Sequence, residues 1–334
     1  MLPALPTGRG RVRSGKTEEC IVPGVFARAG VGYGGDPRAA GLPLMLIAPA
    51  LFAANMVAAR WAESAAIPPV FLAFGRWTLA FLILLPFVAP RLWASRAVLA
   101  ASAPRLLLLG ALGMGVAVAP QYIGVRDTSA TNVALIFAAC PALVALIEAA
   151  VWRVPLGTKR AVGMSLAIWG VLLVLARGEL GTLAGLRFGT GDLWVVLAAC
   201  GWALYTVLGK RRPLPALPGE VRLAALIGGG ALALAPFALL EAGAGQVADF
   251  ADGRLYAALI FLAIVPSLGA YCCYDRLVGL VGPGGASVSM YLIPLYAALA
   301  AWPLLGEVPQ SFHIAGFGLI LGGVLLSGLQ PVRH

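Results

Sequence analysis

Hydrophobic residues run along this chain in long blocks that are separated by short polar segments. A helix needs about 20 mostly apolar residues to cross a bilayer, because each residue advances it by about 1.5 Å. The blocks that meet this length lie near residues 42–61, 68–89, 104–124, 129–151, 158–177, 191–210, 221–240, 254–274, 284–304 and 312–330. The pattern therefore predicts an all-α polytopic membrane protein with ten transmembrane helices.

Composition points to the same class. Of the 334 residues, 60% are hydrophobic and 11% are charged. An ordinary soluble enzyme carries about 25% charged residues, and a disordered chain combines low hydrophobicity with high charge, so both classes are excluded. The net charge of +10 does not indicate a nucleic-acid partner, because the basic residues sit between the apolar blocks. The expected partner is the lipid bilayer.

The distribution of Lys and Arg predicts the topology. If the amino terminus is cytoplasmic, most of the 24 basic residues fall in segments on the inner side, with Lys159 and Lys210 on the same face. Cytoplasmic loops are enriched in these residues, so we expect a cell-membrane protein with both termini in the cytoplasm. Residues 1–40 are predicted to form a flexible basic tail, and residues 331–334 a short C-terminal tail.

The ten blocks contain an internal repeat. Residues 41–177 and 178–330 align with a nearly constant offset, and Pro141 then matches Pro294 while Gly163 matches Gly316. Each copy holds five predicted helices. Since five is odd, the second copy enters the membrane from the opposite side, which predicts two inverted five-helix repeats. Such symmetry is a known basis for alternating access around a cavity in the middle of the membrane.

Several segments resemble the EamA-type family of the drug/metabolite transporter superfamily. They are LFAANMVAARWAES from residue 51, PPVFLAFGRWTLAFLILLPF from 68, YIGVRDTSATNVALIFAACPALVALIE from 122, GDLWVVLAACGWALYTVLGKR from 191 and GGASVSMYLIPLYAALAAWPLLGE from 284. The resemblance covers about residues 41–330. It implies a ten-helix secondary transporter, usually an exporter of small metabolites. One departure is Val154, which stands where the second copy has Glu307.

Polar and aromatic residues inside the spans are the candidates for substrate binding or gating. By depth, an outer group consists of Asn55, Gln121 and Tyr122. An inner group consists of Tyr205, Tyr271, Tyr274 and Asp275, with Trp202 and Tyr291 between the two. The alternative interpretation is that the aromatic residues belong to interfacial belts or to core packing.

Arg76 is the one cation predicted well inside a span. A charge at that depth is costly and faces a cavity or a partner, so Arg76 either binds a substrate carboxylate or fixes a gate, or it pairs with a carboxylate or helix carbonyls. Pro141 and Pro294 are expected to kink their helices near mid-membrane. These kinks are either structural or flexible walls of the central pocket.

The carboxylates give weaker signals. Glu148 is interpreted as an ion pair with nearby Arg153 or as a proton-coupling residue, and Asp275 is a second candidate for proton coupling. Asp192 is expected to cap its helix. The glycines at 318 and 322 have the spacing that lets helices approach closely, either within the monomer or across a homodimer.

Three function classes follow. The favoured one is a secondary active transporter that exports small metabolites, either amino acids or amphipathic compounds. A channel or non-transporting sensor is the alternative, and an intramembrane enzyme is disfavoured because His313 is the sole intramembrane histidine. The sequence shows no metal-ligand spacing and no phosphate-binding loop, so no catalytic residue, metal or cofactor is predicted.

Overall fold

The computed structural model describes residues 37–153, 155, 157–179, 189–211 and 214–328. Residues 1–36 of the predicted tail, the C-terminal tail and Val154 lie outside these ranges. Within them the regular structure is helical. The α-helices are α1 (Pro37–Ser64), α2 (Pro69–Ala94), α3 (Arg96–Gly110), α4 (Ala119–Gly124), α5 (Ala130–Ala138), α6 (Cys140–Trp152), α7 (Thr158–Leu175), α8 (Thr190–Arg211), α9 (Gly219–Gly243), α10 (Gly253–Leu262), α11 (Ala270–Ser289), α12 (Ile293–Leu305) and α13 (Ser311–Gly328).

Among the described residues, six helical stretches are long and apolar enough to cross a membrane. A seventh is the bent pair α5 and α6, and three shorter apolar helices cover 161–175, 290–305 and 311–323. Each overlaps one of the predicted blocks, and several extend beyond its ends. The all-helical class is confirmed, while the count of ten spans stays a prediction.

Two predicted loops are helical. We expected residues 90–103 to separate two spans, but α2 continues to Ala94 and α3 begins at Arg96. We also expected a loop between residues 274 and 284, but α11 continues as helix to Ser289. Charged residues are compatible with a helical backbone, so the polar pair Asp275–Arg276 ends the hydrophobic run without ending the helix. Asp275 instead contacts Arg222, with 3.8 Å between a carboxylate oxygen and Nη2.

Two helices break just before a proline. The axes of α5 and α6 differ by 41° at Ala139, and Pro141 occupies the first turn of α6. In the second half, a 3-10 turn at Met290–Leu292 precedes Pro294 in the first turn of α12. Proline lacks an amide hydrogen and fits the first turn of a helix, where that hydrogen has no helical partner.

Two π-helical segments connect helices that would otherwise be continuous. Ala111–Val116 joins α3 towards α4, and Ala263–Gly269 joins α10 to α11. Such segments are rare and leave backbone carbonyls free for other donors. They occupy matching positions in the two halves, at nearly the offset that aligns the sequence copies.

The helices α7 and α13 pack along each other through glycine. A Cβ at Gly170 would lie 2.8 Å from the Gly316 carbonyl oxygen, so only glycine fits there. At the other end of the same crossing, Gly323 lies against the Gly163 carbonyl. Small residues at a crossing let helix backbones approach closely.

The outside of the bundle is apolar. On α9, large hydrophobic side chains such as Leu232, Phe237 and Leu239 are more than half exposed. Exposed apolar surface on this scale needs a hydrocarbon environment. The interior is filled mainly by alanine, leucine and valine side chains.

Candidate functional site

A cavity of about 1360 Å³ lies between the two halves of the chain. Ten of the residues singled out from the sequence line it: Asn55, Arg76, Gln121, Pro141, Trp202, Tyr205, Tyr271, Tyr274, Asp275 and Tyr291. They come from blocks that are far apart in the sequence. The structure therefore places most of the candidates around one space.

Arg76 stands on the wall of this cavity and is 3% exposed. Its Nε donates to Ser267 Oγ at 3.0 Å, and its Nη1 donates to Asn55 Oδ1 and to the Tyr122 hydroxyl. The Tyr122 hydroxyl in turn donates to Asn55 Oδ1 at 2.7 Å. We call Asn55, Arg76, Tyr122 and Ser267 the arginine cluster. All the hydrogen-bond partners of the cation within the cluster are neutral.

The π-helical segments hold this cluster in place. Trp77 Nε1 donates to the Met114 carbonyl at 2.8 Å, in the first segment. Ser267, in the second segment, donates to the Leu262 carbonyl at 2.7 Å while it accepts from Arg76. A regular α-helix would have used the Met114 carbonyl for the amide of Val118, and the Leu262 carbonyl is free because Pro266 has no amide hydrogen. The change in winding and the proline thus supply acceptors for the site.

Aromatic rings form much of the cavity wall beyond the arginine cluster. Tyr271 packs edge-on against Trp77 and Phe52, with ring centroids 6.2 and 5.5 Å apart. Tyr205 packs against Trp202 at 5.3 Å. This wall suits an apolar or aromatic part of a ligand.

The cavity reaches the surface at one end of the bundle. Glu220, Arg222, Asp275 and Arg276 line it there, and the Asp275 side chain is 68% exposed. Glu220 also pairs with Arg91, outside the cavity. We call this the Arg222 end.

The opposite end is closed by polar contacts between elements. Arg60 donates to the Val125 carbonyl at 2.6 Å and lies 3.6 Å from a Glu307 oxygen. Glu307 accepts from the Ala130 amide at 2.9 Å, and Glu241 accepts from the amides at the start of α2. We call this the Arg60 end. None of these three side chains lines the cavity.

Three sequence candidates lie outside the cavity. Tyr122 is buried behind Arg76, Pro294 is buried in α12, and Glu148 contacts α8. The expected partner of Glu148 was wrong, because the carboxylate pairs with Lys210 at 2.9 Å and Arg211 at 3.5 Å instead of Arg153. Arg153 ends α6 in a left-handed backbone conformation.

The role expected for Asp192 was also wrong. Asp192 lies inside the first turn of α8, and its Oδ1 accepts from Thr128 Oγ1 and from Asn132 Nδ2 at 3.3 Å, so it bonds side chains of the preceding half. His313 Nδ1 accepts from the Gln310 amide, which leaves Nε2 to donate to Asn132 Oδ1 at 3.0 Å. A capping residue would instead bond the amides of its own helix.

Among the described residues, the glycine pair at 318 and 322 packs against no other helix. A Cβ at either position would meet open space. The helix crossing uses Gly316 and Gly323 on another face of α13. A homodimer through the open face stays a prediction.

Sequence reasoning missed Ser267, Glu220, Arg222 and the roles of Glu241 and Glu307. Serine in an apolar block is unremarkable, and the three carboxylates lie just outside the predicted blocks, where loop residues are expected. Glu307 stood out only as a position where the first copy has Val154.

Comparisons with known proteins place the chain among transporters. The model of the EamA-like transporter family matches residues 39–176 and again residues 189–329. An uncharacterized transporter of Archaeoglobus fulgidus is 29% identical over 267 residues, which cover 78% of this chain and 88% of that protein. A probable terminal-alkyne amino-acid exporter of Streptantibioticus cattleyicolor is 27% identical over 67% of this chain and 72% of its own. A solved crystal structure shares the fold, with a TM-score of 0.56, 19% identity, and coverage of 86% of this chain and 96% of that chain.

Proposed function

Because the chain belongs to the EamA-like transporter family, we propose that it is a secondary active transporter that exports small metabolites by alternating access. The proposed substrates are amino acids or amphipathic compounds. A probable amino-acid exporter among the relatives supports this substrate range.

The observation that carries the proposal is a large cavity that reaches one end of the bundle and is closed at the other. A carrier needs a central site that communicates with one side at a time. The ion pair and amide contacts of Arg60, Glu241 and Glu307 supply the closure, and the exposed Asp275 marks the opening.

The proposed architecture is two inverted repeats, residues 41–177 and 178–330. The crossing of α7 and α13 supports it, because Gly163 contacts Gly323 while Gly170 contacts Gly316. These are reciprocal contacts between aligned positions, which a two-fold axis requires. The matching π-helical segments support the same axis.

We propose that the Arg222 end faces the cytoplasm of a cell-membrane protein with both termini inside. Gly209, which directly precedes Lys210 and Arg211, lines the cavity together with Arg222. Basic residues are enriched on the cytoplasmic side, which supports this orientation. The described conformation is then inward-open. Cysteine labelling should place positions 159 and 210 on the same face of the membrane and position 246 on the other; opposite faces for 159 and 210 would overturn this topology.

We also propose a proton-coupling role for Asp275, because its exposed side chain at the Arg222 end is accessible to water. Glu148 is less suited, because it is buried outside the cavity against two basic side chains.

A channel is the alternative function, and the two classes differ in one measurement. Purified protein in proteoliposomes loaded with pooled amino acids or amphipathic compounds should show saturable counterflow of a labelled member of the pool. Planar bilayers with the same protein should show no through-conductance. Steady conductance without counterflow would overturn the proposed function.

A further inference from the structure

Gln121 is a polar residue on the cavity wall that the arrangement of the site leaves unexplained. Its side chain is 2% exposed, it lines the cavity, and its Nε2 has no hydrogen-bond partner among the described residues. An unmet buried donor is costly, so such groups are rare without a function. The donor belongs to α4, which packs against the helix that carries Arg76.

Arg76 lines the same cavity, and no hydrogen bond among the described residues uses its second terminal nitrogen. Its Nε and Nη1 are used within the arginine cluster, whereas Nη2 makes none of those bonds. Neutral acceptors surround the cation, and the described carboxylates that line the cavity, Glu220 and Asp275, contact Arg91 and Arg222 at the Arg222 end. Among the described residues that line the cavity, Arg76 and Gln121 therefore present one positive charge and two donors, and no carboxylate contacts either side chain.

We propose that Arg76 and Gln121 form a carboxylate subsite, so that the transported compounds are monocarboxylates whose apolar part lies along the aromatic wall. This inference rests on the proposed function. A carboxylate accepts hydrogen bonds from both donors and supplies the missing countercharge. A phosphate dianion suits the site less, because the arginine cluster holds a single cation.

The described acceptor and ring faces that contact Arg76 are already in use, so they offer little to an α-amino group beside the carboxylate. Asn55 Oδ1 already accepts from Arg76 and Tyr122. The faces of Trp77 and Tyr122 are taken by the Arg76 guanidinium, which lies 4.3 and 5.8 Å from their ring centroids. The carboxylate is therefore the recognised group, and the amino group is optional.

Ligand-induced shifts in the melting temperature of the purified full chain test this specificity. The probes are 3-phenylpropionate, phenylalanine, 2-phenylethylamine and inorganic phosphate. Both acids should raise the melting temperature with dissociation constants within about tenfold of each other, while the amine and phosphate should leave it unchanged. Protection by the amine or by phosphate equal to that by the acids would overturn the subsite, as would a phenylalanine preference far beyond tenfold.

Two variants assign the subsite to its residues. Arg76→Gln and Gln121→Leu should each weaken binding of both acids about tenfold or more, since each removes a hydrogen bond to a charged group. The control Arg96→Gln removes an exposed surface charge and should bind the acids like the parent chain. Unchanged acid binding by Gln121→Leu would overturn the role of Gln121.

Gln121→Leu has a second expected signature. It removes a buried donor that has no partner, so the unliganded variant should melt at a higher temperature than the parent chain. A lower melting temperature would indicate that Gln121 serves packing and would contradict the proposal. This readout also keeps the test decisive if Arg76→Gln fails to fold.

The outcomes separate this inference from the proposed function. Counterflow of some other compound class, with no protection by either acid, would overturn the carboxylate subsite and leave the transporter standing. Protection by the acids without counterflow of any acid would leave the subsite standing and overturn the transport proposal.

Discussion

Arg76 is the residue on which the site depends. A buried cation loses its hydration, and it is tolerated when hydrogen bonds replace the lost water. Ser267, Asn55 and Tyr122 supply those bonds. Because all three are neutral, they orient the guanidinium without cancelling its charge, which leaves the charge available to a ligand.

The Tyr122 hydroxyl is expected to stabilise this arrangement measurably. Tyr122→Phe removes one acceptor from Arg76 and one donor to Asn55 inside the protein. We expect a loss of roughly 1–2 kcal/mol in the free energy of unfolding, because both partners lose a buried hydrogen bond. Thermal or denaturant unfolding of the purified protein in detergent measures it.

A matched control is Tyr256→Phe. The Tyr256 hydroxyl donates to the Phe250 carbonyl at 3.0 Å in an exposed position, so its loss should change stability by less than about 0.5 kcal/mol. Equal effects of the two substitutions on the free energy of unfolding would contradict the expected contribution of the Tyr122 hydroxyl.

At the scale of single residues, the sequence pointed to the site where a polar or charged residue lies within an apolar block. Arg76, Asn55 and Tyr122 stand out in apolar blocks, and the structure brings them together. Ser267 gave no such signal, because serine is common in apolar helices. Asp192 was misjudged because a carboxylate in a first turn normally caps its own helix, and only the fold brings Thr128 and Asn132 to it.

Among the elements, the crossing of α7 and α13 is the contact most dependent on residue size. Gly170→Leu would place side-chain atoms where the Gly316 carbonyl and the Ile320 backbone now lie. We expect a destabilisation of about 1–3 kcal/mol or more from overpacking, seen as a lower melting temperature and less folded protein in the membrane.

Gly318→Leu is the control on the facing helix. A Cβ at Gly318 meets open space, so a leucine there should be accommodated by lipid without loss of stability. A severe defect in Gly318→Leu would show that this face is covered, as a homodimer requires, and size measurements in detergent would then test the dimer directly.

The hydrophobic pattern located the helices well but described their interruptions poorly. Proline marked the breaks before α6 and α12, because its geometry is visible in the sequence. No hydrophobic pattern in the sequence indicated the π-helical segments. A change of winding over six or seven residues leaves the hydrophobic block intact, so periodicity cannot register it.

At the scale of the whole molecule, the two ends of the cavity differ in the contacts that join the two halves of the chain. At the Arg60 end, carboxylates of the second half bond backbone amides of the first half, as Glu307 does with Ala130. A hydrogen bond to a charged group contributes about 1.5–3 kcal/mol, so a few such bonds hold this end closed without making opening prohibitive. At the Arg222 end, the halves are joined outside the cavity by the side-chain ion pair of Arg91 with Glu220, and Arg222 lies 3.8 Å from Asp275 within the second half.

The duplication could be inferred from the sequence, since aligned prolines and glycines survive in both copies. The conformation could not be inferred. Both conformations of an alternating-access carrier have the same sequence and similar packing within each half, so the choice of closed end depends on small differences between contacts that only the folded chain displays.

The most direct test of the central claim follows the side from which Met56 can be reached. Met56 lines the cavity beside Asn55 and is 5% exposed. Met56→Cys would be made in a chain whose five native cysteines are replaced by alanine, with Arg60→Cys and Glu307→Cys added for bridging by a bifunctional thiol reagent. Membrane-impermeant maleimide is then applied to each face of the membrane.

With the bridge in place, Met56→Cys should be labelled only from the face that carries the Arg222 end. In the control with native Arg60 and Glu307, where no bridge can form, labelling should proceed from both faces because the cavity opens to each in turn. Labelling from the Arg60 face despite the bridge, or from one face alone in that control, would contradict alternating access around this cavity.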